Sequence, residues 1–203
     1  MIVTDRDLRL LLWLNGWGWA TLEQIATWLG IDFSTAARRV RKLIEAGLIK
    51  RIKIDGLTLN PIAVTRAGCQ LVGDDLPPLS GVRVGALHHD AMMVDLEQVI
   101  LRQRPTGLIR PERRIRSLRG NIGEVGRHTP DAELHEPGRL PIAFELELSR
   151  KTPKRIQGII DQYATSQEYS AVFYVVTSES MSDYVLRFTE GMSDLIKVRM
   201  YRG

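Results

Sequence analysis

Short amphipathic segments separated by turn residues occupy the first third of the chain. Thr4, followed by Asp5 and Asp7, is a typical helix start, and the leucine-rich stretch behind it supplies an apolar face. Thr21 and Gln24 have the spacing of a capping box, in which each side chain accepts a backbone N–H of the other residue. The pattern predicts two short helices, each begun by a threonine cap.

A third helix and a hairpin are predicted next. From about residue 34 to residue 46, Ala37 and other apolar residues recur at core spacing, and polar and basic residues share the opposite face. Lys50 to Ile54 alternates basic and apolar residues, and Leu57 to Val64 returns after an Asp-Gly turn signal. A short capped helix closes the segment. This order is that of a winged helix-turn-helix domain.

The rest of the chain alternates predicted helices and strands. A helix from about Leu87 to Arg104 precedes an extended, arginine-rich stretch from Leu108 to Arg119 and a Gly-rich turn at 120–126. Two short strands, a helix with Pro153 in its first turn, and a continuous apolar β run at 171–177 follow. A further helix and strand complete an α/β domain, so the predicted fold class is α+β.

Composition divides the chain into two domains. Residues 74–85 contain two prolines among small and polar residues, and they are predicted to be an extended, exposed linker. This places the winged helix-turn-helix domain at residues 1–73 and the α/β domain at residues 86–203. All four tryptophans lie in the first domain, which indicates that it has a core of its own.

Positive charge is concentrated in the amino-terminal domain. Residues 1–73 carry ten Lys/Arg against six Asp/Glu, whereas residues 74–203 carry eighteen of each. A small basic domain favours a polyanionic partner such as nucleic acid, although an ordinary solvated helix face explains the same charge. The residues predicted to contact double-stranded DNA are Ser34, Thr35, Arg38, Arg39, Arg41 and Lys42 on the third helix, Lys50, Arg51 and Lys53 on the wing, and Arg113, Arg114 and Arg116 in the extended stretch.

Three acidic residues of the second domain have the spacing of a metal-dependent nuclease site. Pro130-Asp131 opens one predicted strand, and Glu145 and Glu147 share a face of the next because strand side chains alternate. If the two strands are neighbours, the three carboxylates converge where Mg²⁺ or Mn²⁺ could bind. Taken singly, each is explained as well by a solvated strand face or a strand start.

At these positions the chain resembles the PD-(D/E)XK nuclease-like superfamily, whose core places Asp on the second strand and Glu-x-Lys on the third. The resemblance implies that Asp131, Glu145 and Glu147 are catalytic and that Asp131 and Glu145 are metal ligands. Glu147 departs from the pattern because lysine is usual there, and Lys151 or Lys154, just downstream, is expected to reach back into the site. Glu97, on the preceding helix, is a further expected metal ligand.

More narrowly, the whole chain resembles the replication-relaxation family of plasmids and other mobile elements, which joins a winged helix to a nuclease-like domain. This resemblance implies action on plasmid or integrative-element DNA in replication or mobilisation, with replication or mobilisation proteins as partners. The matching segments are Val64-Thr65-Arg66-Ala67-Gly68, Leu87-His88-His89-Asp90, Pro130-Asp131-Ala132 and Phe144-Glu145-Leu146-Glu147.

Two functions of different classes are therefore expected. One is a DNA endonuclease or nickase that uses a divalent metal and is guided by its winged helix. The other is a non-catalytic DNA-binding regulator or accessory protein with a degenerate nuclease fold. A third interpretation, a regulator with an unrelated α/β effector domain, predicts a small-molecule pocket. Whether the protein is an enzyme stays open at this point.

The sequence says less about cellular location and oligomeric state. No apolar run is long enough to span a membrane, and the amino terminus lacks a signal-peptide pattern, so a cytoplasmic protein without a membrane partner is expected. Cys69 is the only cysteine, which excludes an internal disulfide. Winged-helix proteins often pair, so a homodimer is expected.

Overall fold

The computed structural model describes residues 2–120 and 128–201. Its contacts divide the chain into two compact units, Met1–Arg102 and Gln103–Gly203. This division lies beyond the linker expected at residues 74–85, because the helix predicted to open the second domain packs within the first unit instead. No helix of the described residues is both long enough and apolar enough to cross a membrane.

The first unit is mainly helical. The helix start predicted at Thr4 and the capping box predicted at Thr21 both form, and Thr4 makes a capping box as well, with Asp7 as its third residue. Helix α3 begins one residue earlier than expected because the Asp32 side chain accepts the backbone N–H of Thr35. The elements are α1 (Asp5–Trp17), α2 (Leu22–Leu29), α3 (Phe33–Glu45), β1 (Ile49–Arg51), β2 (Ile62–Val64), α4 (Arg66–Leu71) and α5 (Leu87–Gln103).

A single apolar cluster joins the three amino-terminal helices to the hairpin. Leu10 and Leu14 of α1, Val40 of α3 and Ile49 of β1 are all essentially inaccessible to solvent. Strands β1 and β2 pair antiparallel, with Ile49 opposite Val64, and the chain between them forms the wing. The unit therefore has the predicted winged helix-turn-helix architecture, with buried leucine and valine side chains supplying most of its stability.

The expected exposed linker is instead packed onto the first unit. Leu76 is only 6 % exposed, and the side-chain amide of Asn15 donates a 2.7 Å hydrogen bond to its carbonyl. Leu79 and Val82 pack beside the buried Trp19. The prolines and polar residues of this segment do make it extended, but its apolar residues are spaced so that they find buried sites.

The second unit is a five-stranded mixed sheet with helices between its strands. The strand order is β3-β4-β5-β6-β7. The first two pairings are antiparallel and the last two are parallel. The elements are β3 (Leu108–Pro111), α6 (Glu112–Leu118), β4 (Ala132–His135), β5 (Ile142–Glu147), α7 (Pro153–Thr165), β6 (Ala171–Val176), α8 (Glu179–Leu186) and β7 (Ile196–Met200).

The stretch from Leu108 to Arg119 is not one extended segment. Strand β3 ends at Pro111, which has extended backbone angles and serves as the N-cap of α6. Glu112 in the first turn of α6 then pairs with Arg116, one helical turn later, at 2.5 Å. Most of the arginine-rich sequence is therefore helical. Its side chains are distributed around α6 and do not line up along a strand.

One face of the sheet is covered by α7 and α8. Ile156 and Ile160 of α7 pack in one cluster with Val172 of β6, and all three are at most 1 % exposed. Thr152 caps α7, and Pro153 occupies its first turn as predicted. This covered face is the one that carries Glu145 and Glu147, because Ala143, two residues earlier in β5, belongs to the same cluster.

Candidate functional site

Helix α3 presents a cationic surface opposite its buried side. Ala36, Val40 and Leu43 are fully buried, with Ala36 taking the core position that the sequence pattern assigned to Ala37. We call the exposed residues Arg38, Arg41 and Lys42 the α3 cationic face. Neither Arg41 nor Lys42 forms an ion pair with any residue that the structure describes. Their charges are therefore available to an anionic partner.

Ser34 and Thr35 lie at the start of α3 and help to hold it. The Ser34 hydroxyl donates to Asp32 at 2.6 Å, and the Thr35 hydroxyl accepts a bond from Arg38 at 2.9 Å. Ser34 is exposed and Thr35 is half-buried. Both residues lie at the N-terminal end of α3. This is the end from which the recognition helix of a helix-turn-helix protein contacts base edges.

The wing adds a second set of exposed cations. Lys50 and Arg51 lie on β1, and Lys53 follows two residues after the strand ends. All three side chains are exposed. Within the described residues none of them is paired with a carboxylate, so wing and helix present positive charge together.

Arg39 does not belong to this surface, contrary to its predicted role in DNA contact. Its Nε donates to Asp7 Oδ1 at 2.6 Å, and a second guanidinium nitrogen contacts the other carboxylate oxygen. The Asp7 side chain is only 2 % exposed. Burial raises the pKa of Asp7, but the bonds from Arg39 and Thr4 outweigh burial and hold that pKa below its usual value. Arg39 therefore joins α3 to α1.

Glu97, predicted as a metal ligand, instead lies inside the first unit. It is 4 % exposed, and one of its carboxylate oxygens accepts the indole N–H of Trp13 at 2.5 Å and that of Trp17 at 2.9 Å. Burial raises its pKa to about 7, although the two hydrogen bonds oppose that rise. Glu97 is therefore a structural acceptor for two tryptophans of α1.

The arginines of α6 also differ from expectation. Arg116 pairs with Glu112 of the same helix, while Arg113 and Arg114 are half-buried and engaged in interactions of their own. Arg113, Arg114 and Arg116 therefore lie on a helix and do not form the expected row along a strand. Their predicted contact with DNA rested on that extended geometry.

Asp131, Glu145 and Glu147, which we call the acidic cluster, lie at one end of the sheet. Asp131 directly precedes β4, and its carboxylate accepts the backbone N–H of Leu146 at 2.8 Å. That bond extends the pairing of β4 and β5 by one step beyond the backbone ladder, whose last pair is Ala132 with Phe144. The acidic residues of two neighbouring strands are thus brought to the same end of the sheet.

Glu145 is buried and receives two hydrogen bonds. It is 1 % exposed, His128 Nε2 lies 2.5 Å from its Oε1 atom, and the Tyr163 hydroxyl of α7 donates to the same oxygen. Burial raises the pKa of Glu145, and the charge of Asp131 adds to that rise, while the bond to His128 opposes it. Of the Gly-rich turn predicted at residues 120–126, all but Gly120 lies outside the described residues.

Glu147 is also buried and is paired with a lysine. It is 3 % exposed, and the Lys151 ammonium contacts its Oε1 atom. Lys151 follows the end of β5 and precedes α7, so it turns back onto the strand that carries Glu147. The lysine charge therefore lies at the acidic cluster, four residues later in the chain than the superfamily pattern has it.

Tyr174 of β6 lies beside the acidic cluster. It is opposite Glu145 in the parallel pairing of β5 and β6 and is 0 % exposed. Its hydroxyl finds no hydrogen-bond partner among the described residues. Burial and the negative charges of Glu145, Glu147 and Asp131 all raise its pKa. The Tyr174 hydroxyl is therefore affected by the negative charge of all three carboxylates.

In the part of the chain that the structure describes, the acidic cluster is not arranged as a divalent-metal site, and metal binding by Asp131 and Glu145 stays a prediction. Among the described residues, no group of three or more His, Cys, Asp or Glu side chains is placed to hold a metal ion. The Oε1 atom of Glu145 is bonded to His128 and Tyr163, and the Oε1 atom of Glu147 to Lys151, whereas a metal ligand needs open lone pairs. The carboxylates come together, but they are bound by the protein itself.

Tyr163 and Tyr174 are neighbours of Glu145 that the sequence pattern did not identify as site residues. A usable signal exists in both cases. Tyr163 lies seven residues after Ile156 on the apolar face of α7. On β6, Tyr174 lies on the same strand face as Val172 and Val176, because side chains two residues apart point to the same side. Each tyrosine therefore points to the same buried face as Glu145, which apolar periodicity alone could have shown.

Comparison with known proteins supports the first unit only. Residues 3–56 match the MarR family, a winged-helix family, so this part of the chain is a winged-helix DNA-binding domain. No curated protein matched the chain. The crystal structure of RV1404 from Mycobacterium tuberculosis is similar over 49 % of this chain, with 23 % identity and a TM-score of 0.33. The chain spans 60 % of the length of that structure.

Proposed function

We propose that the protein binds duplex DNA through the winged-helix domain of its first unit. The observation that carries the proposal is the α3 cationic face, three unshielded positive side chains on a helix whose other side is fully buried. In a winged helix, such a helix lies in the major groove while the wing contacts flanking phosphates. Lys50, Arg51 and Lys53 of the wing supply that second contact.

A gel-shift assay of the full chain tests this proposal. The probes are duplex DNA fragments tiled across the element that carries the gene. Tiling is needed because we expect the protein to prefer a particular DNA sequence. The combined variant Arg38→Gln, Arg41→Gln and Lys42→Gln should lose the shift. The control variant Arg102→Gln, Arg139→Gln and Arg187→Gln removes the same charge from other exposed positions and should keep it. Equal loss in both variants would show that only net charge matters.

The proposed biological setting is replication or mobilisation of plasmid or other mobile DNA. It is supported by the order of short motifs along the whole chain, from Val64-Thr65-Arg66 to Glu145-Leu146-Glu147. Dimeric binding is part of the proposal, since MarR proteins typically dimerise. Two copies of α3 would then contact half-sites about one helical turn apart. Footprinting on the tiled fragment that binds best would reveal that spacing.

For the second unit we propose a non-catalytic role as a nuclease-like binding module. What supports this is the occupancy of the acidic cluster: Glu145 is bound by His128 and Tyr163, and Glu147 by Lys151. Folds of this kind are kept without their chemistry because fold does not determine function. Expected partners of the module are other replication or mobilisation proteins.

Metal-dependent cleavage is the second candidate function. One observation favours it, namely that Asp131 is bonded to the backbone N–H of Leu146, which brings it beside the strand that carries Glu145 and Glu147. The test incubates the full chain with supercoiled plasmid carrying the bound fragment and Mg²⁺ or Mn²⁺. Nicking by the wild type that disappears in Asp131→Ala and in Glu145→Ala, but persists in Asp161→Asn on the exposed side of α7, would establish cleavage. Binding without nicking supports the module.

A further inference from the structure

A cavity of about 310 Å³ in the second unit is separate from the acidic cluster. It lies beside α6, between β3, β4 and the segment that follows α7. One wall is apolar and contains Ile115, Leu118 and Pro141, while the other contains arginine, glutamate and tyrosine side chains. A volume of this size is at the lower end of those that hold small organic molecules.

The polar wall is held by hydrogen bonds around Glu133, and its Arg119 also pairs with Glu168, a further lining residue, at 3.4 Å. Arg119 donates to Glu133 Oε1 at 3.0 Å and to the Tyr169 hydroxyl at 2.5 Å, and that hydroxyl donates to Glu133 at 2.8 Å. His135 Nε2 lies 2.8 Å from the other oxygen of Glu133. Glu133 is 6 % exposed, so its charge is matched inside the protein by these donors.

Arg110 is the exception on this wall. It lies on β3 directly opposite Glu133 in the antiparallel pairing, so both side chains project from the same face of the sheet. The oxygens of Glu133, however, are already taken by Arg119, Tyr169 and His135. Arg110 is half-buried, and within the described residues its guanidinium makes no hydrogen bond or ion pair. A partly buried guanidinium with open donors is suited to an anion.

We propose that this cavity binds a small organic anion. Its carboxylate or phosphate group is held by Arg110, and its apolar part lies on Ile115, Leu118 and Pro141. Arg119 borders the anionic group but stays committed to Glu133. This site goes beyond the proposed function in DNA binding, because it uses residues of the second unit that lie outside the acidic cluster.

Isothermal titration calorimetry of the full chain with benzoate, phenyl phosphate and the neutral benzyl alcohol tests the proposal. At least one of the two anions should bind saturably, and benzyl alcohol should not. Arg110→Gln should weaken binding by about tenfold or more, since a charge-assisted bond is lost. Arg116→Gln, a nearby arginine outside the cavity lining, should leave binding unchanged.

A second variant addresses the apolar wall independently of Arg110. Leu118 is 63 % exposed, so Leu118→Glu is compatible with folding while it places a like charge at the cavity. This variant should also weaken anion binding, and circular dichroism confirms that each variant is folded. The proposal is overturned if neither anion binds the wild type saturably, if benzyl alcohol binds as well, or if both cavity variants bind like the wild type.

Discussion

Tyr174 and Glu145 show how buried polar residues concentrate where the two acidic strands meet. Glu145 is satisfied by His128 and Tyr163, whereas the Tyr174 hydroxyl beside it has no partner among the residues described. A buried hydroxyl without a hydrogen bond costs about 1–3 kcal/mol. The same end of the sheet therefore contains both a well-satisfied carboxylate and an unsatisfied neighbour.

This contrast predicts opposite effects for two tyrosine-to-phenylalanine substitutions. Tyr174→Phe removes an unsatisfied hydroxyl and should raise the free energy of unfolding by about 1 kcal/mol. Tyr163→Phe removes a donor to a buried carboxylate and should lower it by about 2 kcal/mol. Urea denaturation of both variants measures the difference. A loss of stability in Tyr174→Phe as large as that in Tyr163→Phe would mean that the Tyr174 hydroxyl is bonded.

Glu97 predicts a pH dependence of stability in the first unit. Its pKa in the folded state is about 7, above the ordinary 4.5, so the folded protein holds this proton more tightly than the unfolded chain. Stability is then fully present below the unfolded pKa and is lost as the pH rises from about 4.5 through about 7. The loss amounts to about 3 kcal/mol, since each pKa unit corresponds to about 1.4 kcal/mol.

Glu97→Gln provides the matched variant, because its amide oxygen can still accept the indole N–H groups of Trp13 and Trp17. Tryptophan fluorescence reports unfolding of this unit, as all four tryptophans lie within it. The difference in stability between about pH 5 and about pH 8 should be smaller in the variant than in the wild type by about 3 kcal/mol. Identical pH profiles would contradict the raised pKa.

At the scale of elements, α3 serves two purposes on two sides. Its buried side and Arg39 attach it to α1, while the α3 cationic face is left at the surface. Arg38 and Arg39 are adjacent in sequence, yet the helix turns them to different surroundings about 100° apart. Sequence pattern treats both as surface cations, and only the contact with the buried Asp7 separates them.

Single substitutions separate these two roles. Arg39→Gln leaves the Asp7 carboxylate buried without its charged partner and should cost about 3 kcal/mol of stability. Duplex DNA affinity measured on the folded fraction should stay unchanged in this variant. Arg38→Gln should keep the stability and weaken DNA binding. Thermal unfolding measures the stability of each variant, and fluorescence anisotropy measures its affinity for DNA. If Arg39→Gln weakened DNA binding and left stability unchanged, Arg39 would belong to the DNA-binding surface.

Local signals predicted most elements but not their distant partners. The caps at Thr4 and Thr21, the wing hairpin and the strands of Asp131 and Glu145 follow from neighbouring residues, and the structure contains them. Helix α6 was missed because Pro111 also suits an extended chain, and helix formation there depends on a turn of only a few residues. Glu97 was misassigned because its tryptophan partners lie some eighty residues away, beyond any local pattern.

The boundary between the units illustrates the same limit. The proline-rich residues 74–85 have the composition of a free linker, but Leu76 and its neighbours find apolar sites in the first unit. Burial of apolar side chains favours docking over free extension, at about 25 cal/mol for each Å² removed from water. Composition predicts how extended such a segment is, but whether it docks depends on a surface formed elsewhere in the fold.

At the scale of the whole molecule, the two units differ in their net charge and in their proposed roles. The amino-terminal third carries the entire formal excess of +4, and the remainder is balanced. The α3 cationic face and the wing display that excess, whereas Glu145 and Glu147 of the acidic cluster are buried and bonded within the second unit. The molecule thus combines a winged-helix DNA-binding domain with a second unit. That unit contains the acidic cluster and, separate from it, the cavity that we propose binds a small organic anion.

The salt dependence of duplex binding tests the central claim of this account most directly. Fluorescence anisotropy of the full chain on its preferred fragment gives log Kobs against log salt concentration, whose slope is about −0.9 for each phosphate neutralised. The combined Arg38→Gln, Arg41→Gln and Lys42→Gln variant should bind more weakly, with a slope shallower by about 1–3. An affinity and a slope equal to those of the wild type would contradict DNA binding through α3.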